Sequence, residues 1–406
     1  MTDKPTLSRR ALIGGSAASV AGLGLGGVGG WQAHAASSRS DQERGWGSGS
    51  VVPFYGTHQA ALVHPPAAHA RFLTFDLREG VDASGIRRML RVLTEDAARL
   101  AAGIPPLADS EPELAVIPAS LTFLVGFGPE LVRRVKPSAR PAWLEALPSF
   151  SVDQLKPALT GGDLLVAVHA DDPVTVAHAT RVVTRQLASY LQLRWSLDGF
   201  RRARGSDQSG RTMRNLFGQV DGTAGPKVGE EAFDRAVLGA GREGVLPGWL
   251  EGGTGYVLRV IEMDLDTWDQ VDRPDREKAV GRTLDTGAPL TGGSEDSPAD
   301  FGARDALGLP VIPDFAHMRR ARAAEVDEVI FRRGYNYETP QSVEAPATAG
   351  LLFEAFAADP TAQFVPIQRR LAELDMMNLW TTPIGSAVYA IPPGCQPGGY
   401  IGDTLV

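Results

Sequence analysis

The chain has little cysteine, little histidine and no excess of positive charge. One cysteine, Cys395, occurs in 406 residues. It cannot form an intrachain disulfide, a thiolate metal cluster or the Cys-x-x-Cys-His pattern of thioether-linked cofactors. It lies among glycines and prolines and reads as a loop residue. Lysine and arginine number 40 against 48 acidic residues, a net charge of -8. That balance argues against nucleic acid or an anionic membrane as partner and leaves cationic partners open. Paired histidines at metal-ligand spacing are also missing, which argues against most non-porphyrin metal enzymes. What remains is an ordinary composition, 43% hydrophobic and 22% charged, enough for two domains or one large one.

The N-terminus reads as an address. Ser8-Arg9-Arg10-Ala11-Leu12-Ile13 sets paired arginines before a Gly/Ala-rich apolar run, and Ala33-His34-Ala35 supplies the small residues of a cleavage site. This is the pattern of a twin-arginine (Tat) signal over residues 1–35, with the mature chain starting near Ala36. A retained membrane helix is the weaker alternative, because the glycines make the run only mildly hydrophobic. The expected partner is therefore the Tat translocase, with no stable membrane insertion after signal removal. The expected location is the periplasm, the cell envelope or the exterior. Tat carries folded proteins, often with a cofactor in place, so the address itself hints at a prosthetic group. Residues 36–55, rich in Ser and Gly, read as a flexible lead-in.

Beyond it the pattern alternates strand and helix. Arg71–Leu77 reads as a strand, and Ile86, Met89, Leu90, Leu93, Ala97 and Leu100 recur at helical spacing. Strands at 121–127 and 164–169 follow. Asp172-Pro173 then caps a helix running to about Leu191, and a strand spans 192–197. The order is that of a ferredoxin-like half, placed at 56–215. Residues 216–406 repeat it loosely: strand 256–263, helix 265–282, strands 329–333 and 350–356, helix 363–374, last strand near 387–390. The fold class is α+β, two ferredoxin-like halves of the dimeric α+β barrel type, with an apolar cavity beside the sheets. The polar stretch 285–304 reads as a surface loop.

Three places could carry chemistry. Asp221 sits in Gly218-x-x-Asp221-Gly222, a turn whose flanking glycines permit close backbone approach to a ligand. The Gly222, Thr223 and Ala224 amides could face an anion, although a turn aspartate bonded to its own backbone is the commoner meaning of such a spacing. Of the histidines left after signal removal, His58, His64 and His69 lie in a proline-containing loop, and His169 and His178 read as structural. Only His317 falls near an arginine-bearing strand. In that strand Arg332 and Arg333 point to opposite faces, so at most one reaches a given cavity.

Taken together, these segments resemble the dye-decolourising peroxidases of the Tat-exported kind. The likeness rests on Asn215-Leu216-Phe217-Gly218-x-x-Asp221-Gly222-Thr223, His317-Met318-Arg319-Arg320-Ala321, Arg332-Arg333-Gly334-Tyr335 and Gln363-Phe364-Val365-Pro366-Ile367-Gln368-Arg369-Arg370-Leu371. Met263-Asp264-Leu265-x-x-Trp268 and Ile384-Gly385-Ser386-Ala387 add to it. Arg322-Ala323 stands where many relatives have Asn-Pro. The resemblance implies non-covalent heme b held mainly by the C-terminal half, with His317 as axial ligand of the iron. It implies Asp221 as distal carboxylate and Arg332, or Arg333 one position on, as distal arginine. Arg332, Gly222, Thr223 and Ala224 are the further heme contacts expected. The activity implied is reduction of hydrogen peroxide to water through a ferryl intermediate, at the expense of dyes, phenolics or another reducing substrate. Asp375 is a candidate partner for the imidazole of His317, and Trp380, Tyr389, Tyr335 and Tyr337 are candidate electron relays beside an ordinary core role. The alternatives are an exported heme-handling or iron-acquisition protein, and a non-heme binding module in which Asp221 and Arg332 form a structural ion pair.

Overall fold

The computed structural model describes residues 49–207, 211–325, 327–340 and 348–406. The segment read as an export signal and the first part of the stretch read as a lead-in lie outside the described residues. The first half runs α1 (Ala60–Val63), β1 (His69–Leu77), α2 (Ala83–Ala101), β2 (Thr122–Phe127), α3 (Pro129–Val135), β3 (Leu164–Ala170), α4 (Pro173–Leu187) and β4 (Leu191–Phe200). The second runs α5 (Glu231–Ala236), β5 (Thr254–Met263), α6 (Leu265–Asp269), α7 (Arg273–Val280), α8 (His317–Ala321), β6 (Phe331–Thr339), β7 (Thr348–Ala357), α9 (Pro360–Leu374) and β8 (Thr381–Ile391). Caps explain several boundaries. Asp82, Asp172 and Asp359 each accept backbone N–H bonds at the starts of α2, α4 and α9. The helix expected over 265–282 is instead two, because Asp272 caps a new start at Arg273 and Pro274 cannot continue a helix from before it.

The eight strands close into one antiparallel barrel in the order β1-β3-β2-β8-β5-β7-β6-β4. Each half contributes the same local order, β4-β1-β3-β2 and β8-β5-β7-β6, which is the ferredoxin-like arrangement repeated. The halves are therefore joined edge to edge. Both seams are thin: β2 meets β8 at Phe127 and Ala390, and β4 meets β6 at Phe200 and Asn336. Gln59 reinforces the first. Its buried amide donates to Val125 O and Pro392 O, both at 2.9 Å, and its carbonyl accepts from Val125 N at 2.7 Å.

Side-chain alternation sorts the residues into two environments. Phe72, Leu165, Tyr256, Leu258, Tyr335, Tyr337, Leu352, Phe356 and Tyr389 fill the barrel interior. Leu73, Phe75, Val166, Val168, Val257 and Ala355 face outward and pack under the helices. Inside, the Tyr256 hydroxyl donates to the buried carboxylate of Glu354 at 2.9 Å. Arg333 shares that face. Its guanidinium donates to the Ala61, Leu62 and His64 carbonyls at the end of α1, those to Leu62 and His64 at 2.8 Å. Of the candidate relays, Tyr335, Tyr337 and Tyr389 are interior residues, and Trp380 packs edge-on against Trp268. All four are buried. Among the described residues no helix is long and apolar enough to cross a membrane.

Two stability predictions follow from these contacts. Gln59→Ala leaves three buried backbone groups unpaired at a seam and is expected to cost about 2–4 kcal/mol in denaturant melts. An unchanged midpoint would show that the seam does not depend on this side chain. Arg333→Ala strips three carbonyls of their donor and removes the cation nearest Glu354, whose carboxyl burial already pushes up. Roughly 2–4 kcal/mol of destabilisation is expected. Arg332→Ala, on the other face of the same strand, should leave the melt nearly unchanged.

Candidate active site

A cavity of about 580 Å³ lies on the outer face of the second half, and its lining residues all fall between Asn215 and Pro383. Ile261, Met263, Leu351, Phe353, Phe364, Ile367 and Leu371 make most of it apolar. The size and the sparse polar groups are those of a cofactor site. Residues 295–301 also form part of the wall. The stretch read as a surface loop thus contributes Glu295, Asp296, Ser297, Pro298, Ala299 and Phe301 to the cavity wall.

His317 opens α8 and lines the cavity. The short helix is held from behind. The Arg319 guanidinium donates to Ile312 O and Phe301 O, and Arg320 donates to Arg370 O at 3.0 Å. Met318 lies against Gly281, where a Cβ would come within 2.6 Å of its side chain. Gly281 sits at φ +89°, so glycine is required there twice over. The turn at Arg322-Ala323 is held by Arg370, which donates to Arg322 O at 2.8 Å, while Arg322 stacks on Phe301.

The imidazole Nδ1 lies 2.6 Å from Asp375 Oδ2. Asp375 is only 4% exposed, whereas the His317 side chain is 36% exposed and fronts the cavity. The second carboxylate oxygen accepts from Met377 N at 3.0 Å, so both oxygens are committed and the aspartate cannot swing away. Burial works against a charged imidazole. Asp375 outweighs it and holds the ring's pKa above its ordinary value; Arg332 acts against this and Asp221 with it.

Asp221 closes a small hairpin. Arg214 bridges Val220, Asp221 N donates to Met213 O at 2.8 Å, and Gly218 turns the chain at φ +78°. The Asn215 side chain organises the turn by accepting from Phe217 N and Gln219 N. Its amide also donates to Asp221 Oδ2 at 3.3 Å. Arg332 Nη1 donates to Asp221 Oδ1 at 3.4 Å. The carboxylate thus bonds to a cavity arginine and an asparagine. Strand parity separates the two arginines: Arg332 lines the cavity and Arg333 belongs to the barrel's inner face. Thr223 and Ala224 are wall residues, while Gly222, at φ +120°, turns the chain behind them and is not part of the lining.

Sequence reasoning gave no role to Asn215, Arg259, Arg282 or Glu295, all of which line the cavity. Asn215 opens the quoted motif, and Arg282 directly follows the glycine that ends α7, so both had a local signal. Arg259 had none: it is buried on β5 and ion-paired with Asp153 of the other half. Its Nε and Nη1 have no acceptor among the described residues.

Comparison with known proteins gives the chain its family. Residues 59–201 match the family model for the Dyp-type peroxidase N-terminal region, and residues 212–396 match that for the C-terminal region. The dye-decolorizing peroxidase of Thermobifida fusca is 34% identical, over 100% of this chain and 98% of its own length. A deferrochelatase of Yersinia pestis is 30% identical, over 98% and 95%. Among solved structures, a DyP-type peroxidase from Cellulomonas bogoriensis superposes with a TM-score of 0.84 at 47% identity, covering 88% of this chain and 98% of that one. Ferric DtpA from Streptomyces lividans gives 0.83 at 34%, covering 88% and 97%. The chain belongs to the Dyp-type peroxidase family, heme-dependent enzymes that hold their cofactor non-covalently.

Proposed function

We propose that this peroxidase reduces hydrogen peroxide to water at a heme b held by His317, with Asp221 and Arg332 as the catalytic pair, and that dyes or phenolics serve as one-electron donors. The residues fit the cofactor. An apolar cavity of about 580 Å³ suits a porphyrin, and an imidazole at its wall already has Nδ1 engaged. Arg259 and Arg282 supply cations at that wall, the former with two N–H groups that have no acceptor among the described residues and suit a propionate. Thr223 and Ala224 are further contacts.

Heme, when bound, would supply the two electrons that reduce the peroxide. His317 would hold the iron through Nε2. Donation of Nδ1–H to Asp375 fixes the ring's tautomer and angle and makes the imidazole a stronger donor. Asp221 would accept a proton from hydrogen peroxide and deliver it to the oxygen that leaves as water. Arg332 keeps a fixed positive charge beside the departing oxygen, and Asn215 holds the second Asp221 oxygen. The apolar wall excludes bulk water and strengthens both effects. Bulky donors would react at the surface, with Trp380, Tyr335, Tyr337 and Tyr389 as candidate electron relays.

The observation that carries this reading is convergence. Asp221, Arg332, His317 and Asp375 come from separate elements, yet they meet in one cavity as two hydrogen-bonded pairs. Asp221→Ala should slow the reaction with peroxide by about 10²–10⁴-fold with heme retained. A carboxylate base works in acid, where an imidazole base would be protonated, so the rate is expected to peak below about pH 7. His317→Ala should abolish the Soret band; a band that persists unchanged removes His317 as ligand. The deferrochelatase relatives support a second reading, heme handling. Sustained donor oxidation with the porphyrin intact favours the first, and iron release with little turnover the second.

We also propose that residues 1–35 direct Tat export, placing the enzyme in the periplasm, cell envelope or medium. Arg9→Lys with Arg10→Lys is expected to retain the uncleaved precursor in the cytoplasm. N-terminal sequencing of the exported wild type should begin near Ala36; export of the double variant at the wild-type level would rule the signal out.

A further inference from the structure

The turn that carries Asp221 has little stiffness of its own. Gly218 and Gly222 stand on either side of the aspartate, both at positive φ, and Gly225 follows. Asn215 ties the turn from within, and with three glycines in the segment the contacts from outside it add to how firmly the carboxylate is held. The tether is visible at its base. Thr212 enters the hairpin and Thr223 leaves it, and both hydroxyls donate to the same oxygen, Oε1 of Glu295, that from Thr223 at 2.7 Å.

Glu295 belongs to the segment between α7 and α8, which is itself anchored to the hairpin. Arg282 Nη1 donates to Glu295 O at 2.9 Å and Gly287 O at 2.6 Å. Arg214, inside the hairpin, reaches the other way to Leu284 O and Asp285 O, and it also closes on Gly218 O at 2.7 Å. Gly287 lets the backbone lie on Val220, where a Cβ would come within 3.0 Å of the valine. The hairpin and the 282–295 segment therefore pack as one piece, and Glu295 grips the hairpin at Thr223, just C-terminal to Asp221.

We propose that Glu295 is a positioning residue: by accepting from Thr212 and Thr223 on both arms of the hairpin, its carboxylate holds Asp221 against Arg332. This rests on Asp221 being the proton carrier. A misplacement of about 1 Å is enough to cost roughly 10²-fold in rate. The chemistry at Glu295 needs an acceptor with two lone pairs on one oxygen. A glutamine carbonyl provides that and an alanine does not.

The test compares full-length wild type, Glu295→Ala, Glu295→Gln and Asp221→Ala, plus the Asp221→Ala/Glu295→Ala double variant. Two quantities are read: hydrogen exchange of amides 211–224, and the second-order rate constant with hydrogen peroxide. Glu295→Ala is expected to speed exchange in that segment and slow the peroxide step by about 10²-fold. Glu295→Gln should restore both, and Glu295→Ala should add no loss to Asp221→Ala, because it acts through that residue. Unchanged exchange in Glu295→Ala, a glutamine variant as slow as the alanine one, or losses that multiply in the double variant would each overturn the proposal. Should Glu295→Ala fail to fold, Thr212→Val with Thr223→Val removes the same bonds from the donor side under the same criteria. If Asp221→Ala leaves the rate unchanged while Glu295→Ala still loosens 211–224, the clamp stands and the role of Asp221 falls.

Discussion

A strand's side chains alternate between two faces, and the site depends on that constraint in β6. Arg332 and Arg333 are chemically identical neighbours, yet one meets Asp221 in the cavity and the other ties α1 to the barrel interior. A shift of one residue in the pairing of β6 with β7 would exchange them. The register is held because the same alternation sends Tyr335 and Tyr337 into the packed interior opposite Leu352 and Gly350. Burial of large aromatics inside thereby decides which arginine serves the cavity outside. Gly350 contributes directly, since a Cβ there would meet Ile261 O at 2.0 Å and the Tyr337 ring at 2.6 Å.

The cavity wall is mostly apolar, so every charge in it needs a partner. His317 has Asp375 and Arg332 has Asp221, and each acid is held by a further donor, Met377 N for the first and the Asn215 amide for the second. Both pairs join segments distant in sequence. Neutralisation and positioning are thus one act: the bonds that make the charges tolerable also fix where they point.

Sequence periodicity located most of the framework, because strands buried on both faces and helices with an apolar stripe leave a strong pattern. The eight strands and the helices α2, α4 and α9 were legible in this way, with most ends shifted by a few residues, but β6 ends and β8 begins six residues from where they were expected. α8 was not, since five residues are too few to show a period, and it is held by arginine-to-carbonyl bonds that no pattern encodes. Asp221, His317 and Arg332 could be named from their motifs, and Asp375 suggested itself as partner to the histidine. The wall built from residues 295–301 could not be read, because a polar loop packed on a cavity and one in water look alike in composition. Glu295 shows the difficulty: nothing in Gly-Gly-Ser-Glu-Asp-Ser announces that one of its oxygens joins both arms of a hairpin.

The two halves repeat one strand order, yet among the described residues the cavity that holds His317 is lined by the second half, and the crossover connections explain its place. Between β1 and β2 the chain forms α2, 19 residues long, whose Ile86, Met89, Leu90 and Leu93 seal the outer face against Leu73 and Phe75. Between β5 and β6 the corresponding connection is broken into α6 of five residues, α7 of eight and α8 of five, with a long polar segment between the last two. No single apolar stripe is long enough to cover β5, so Ile261 and Met263 face a cavity where Leu73 and Phe75 face a helix. The same fragmentation brings the start of α8, and with it His317, to the cavity's edge. The breaks at Asp272 and Gly281, which weaken the connection as a helix, are therefore what creates room for a cofactor and supplies the imidazole beside it.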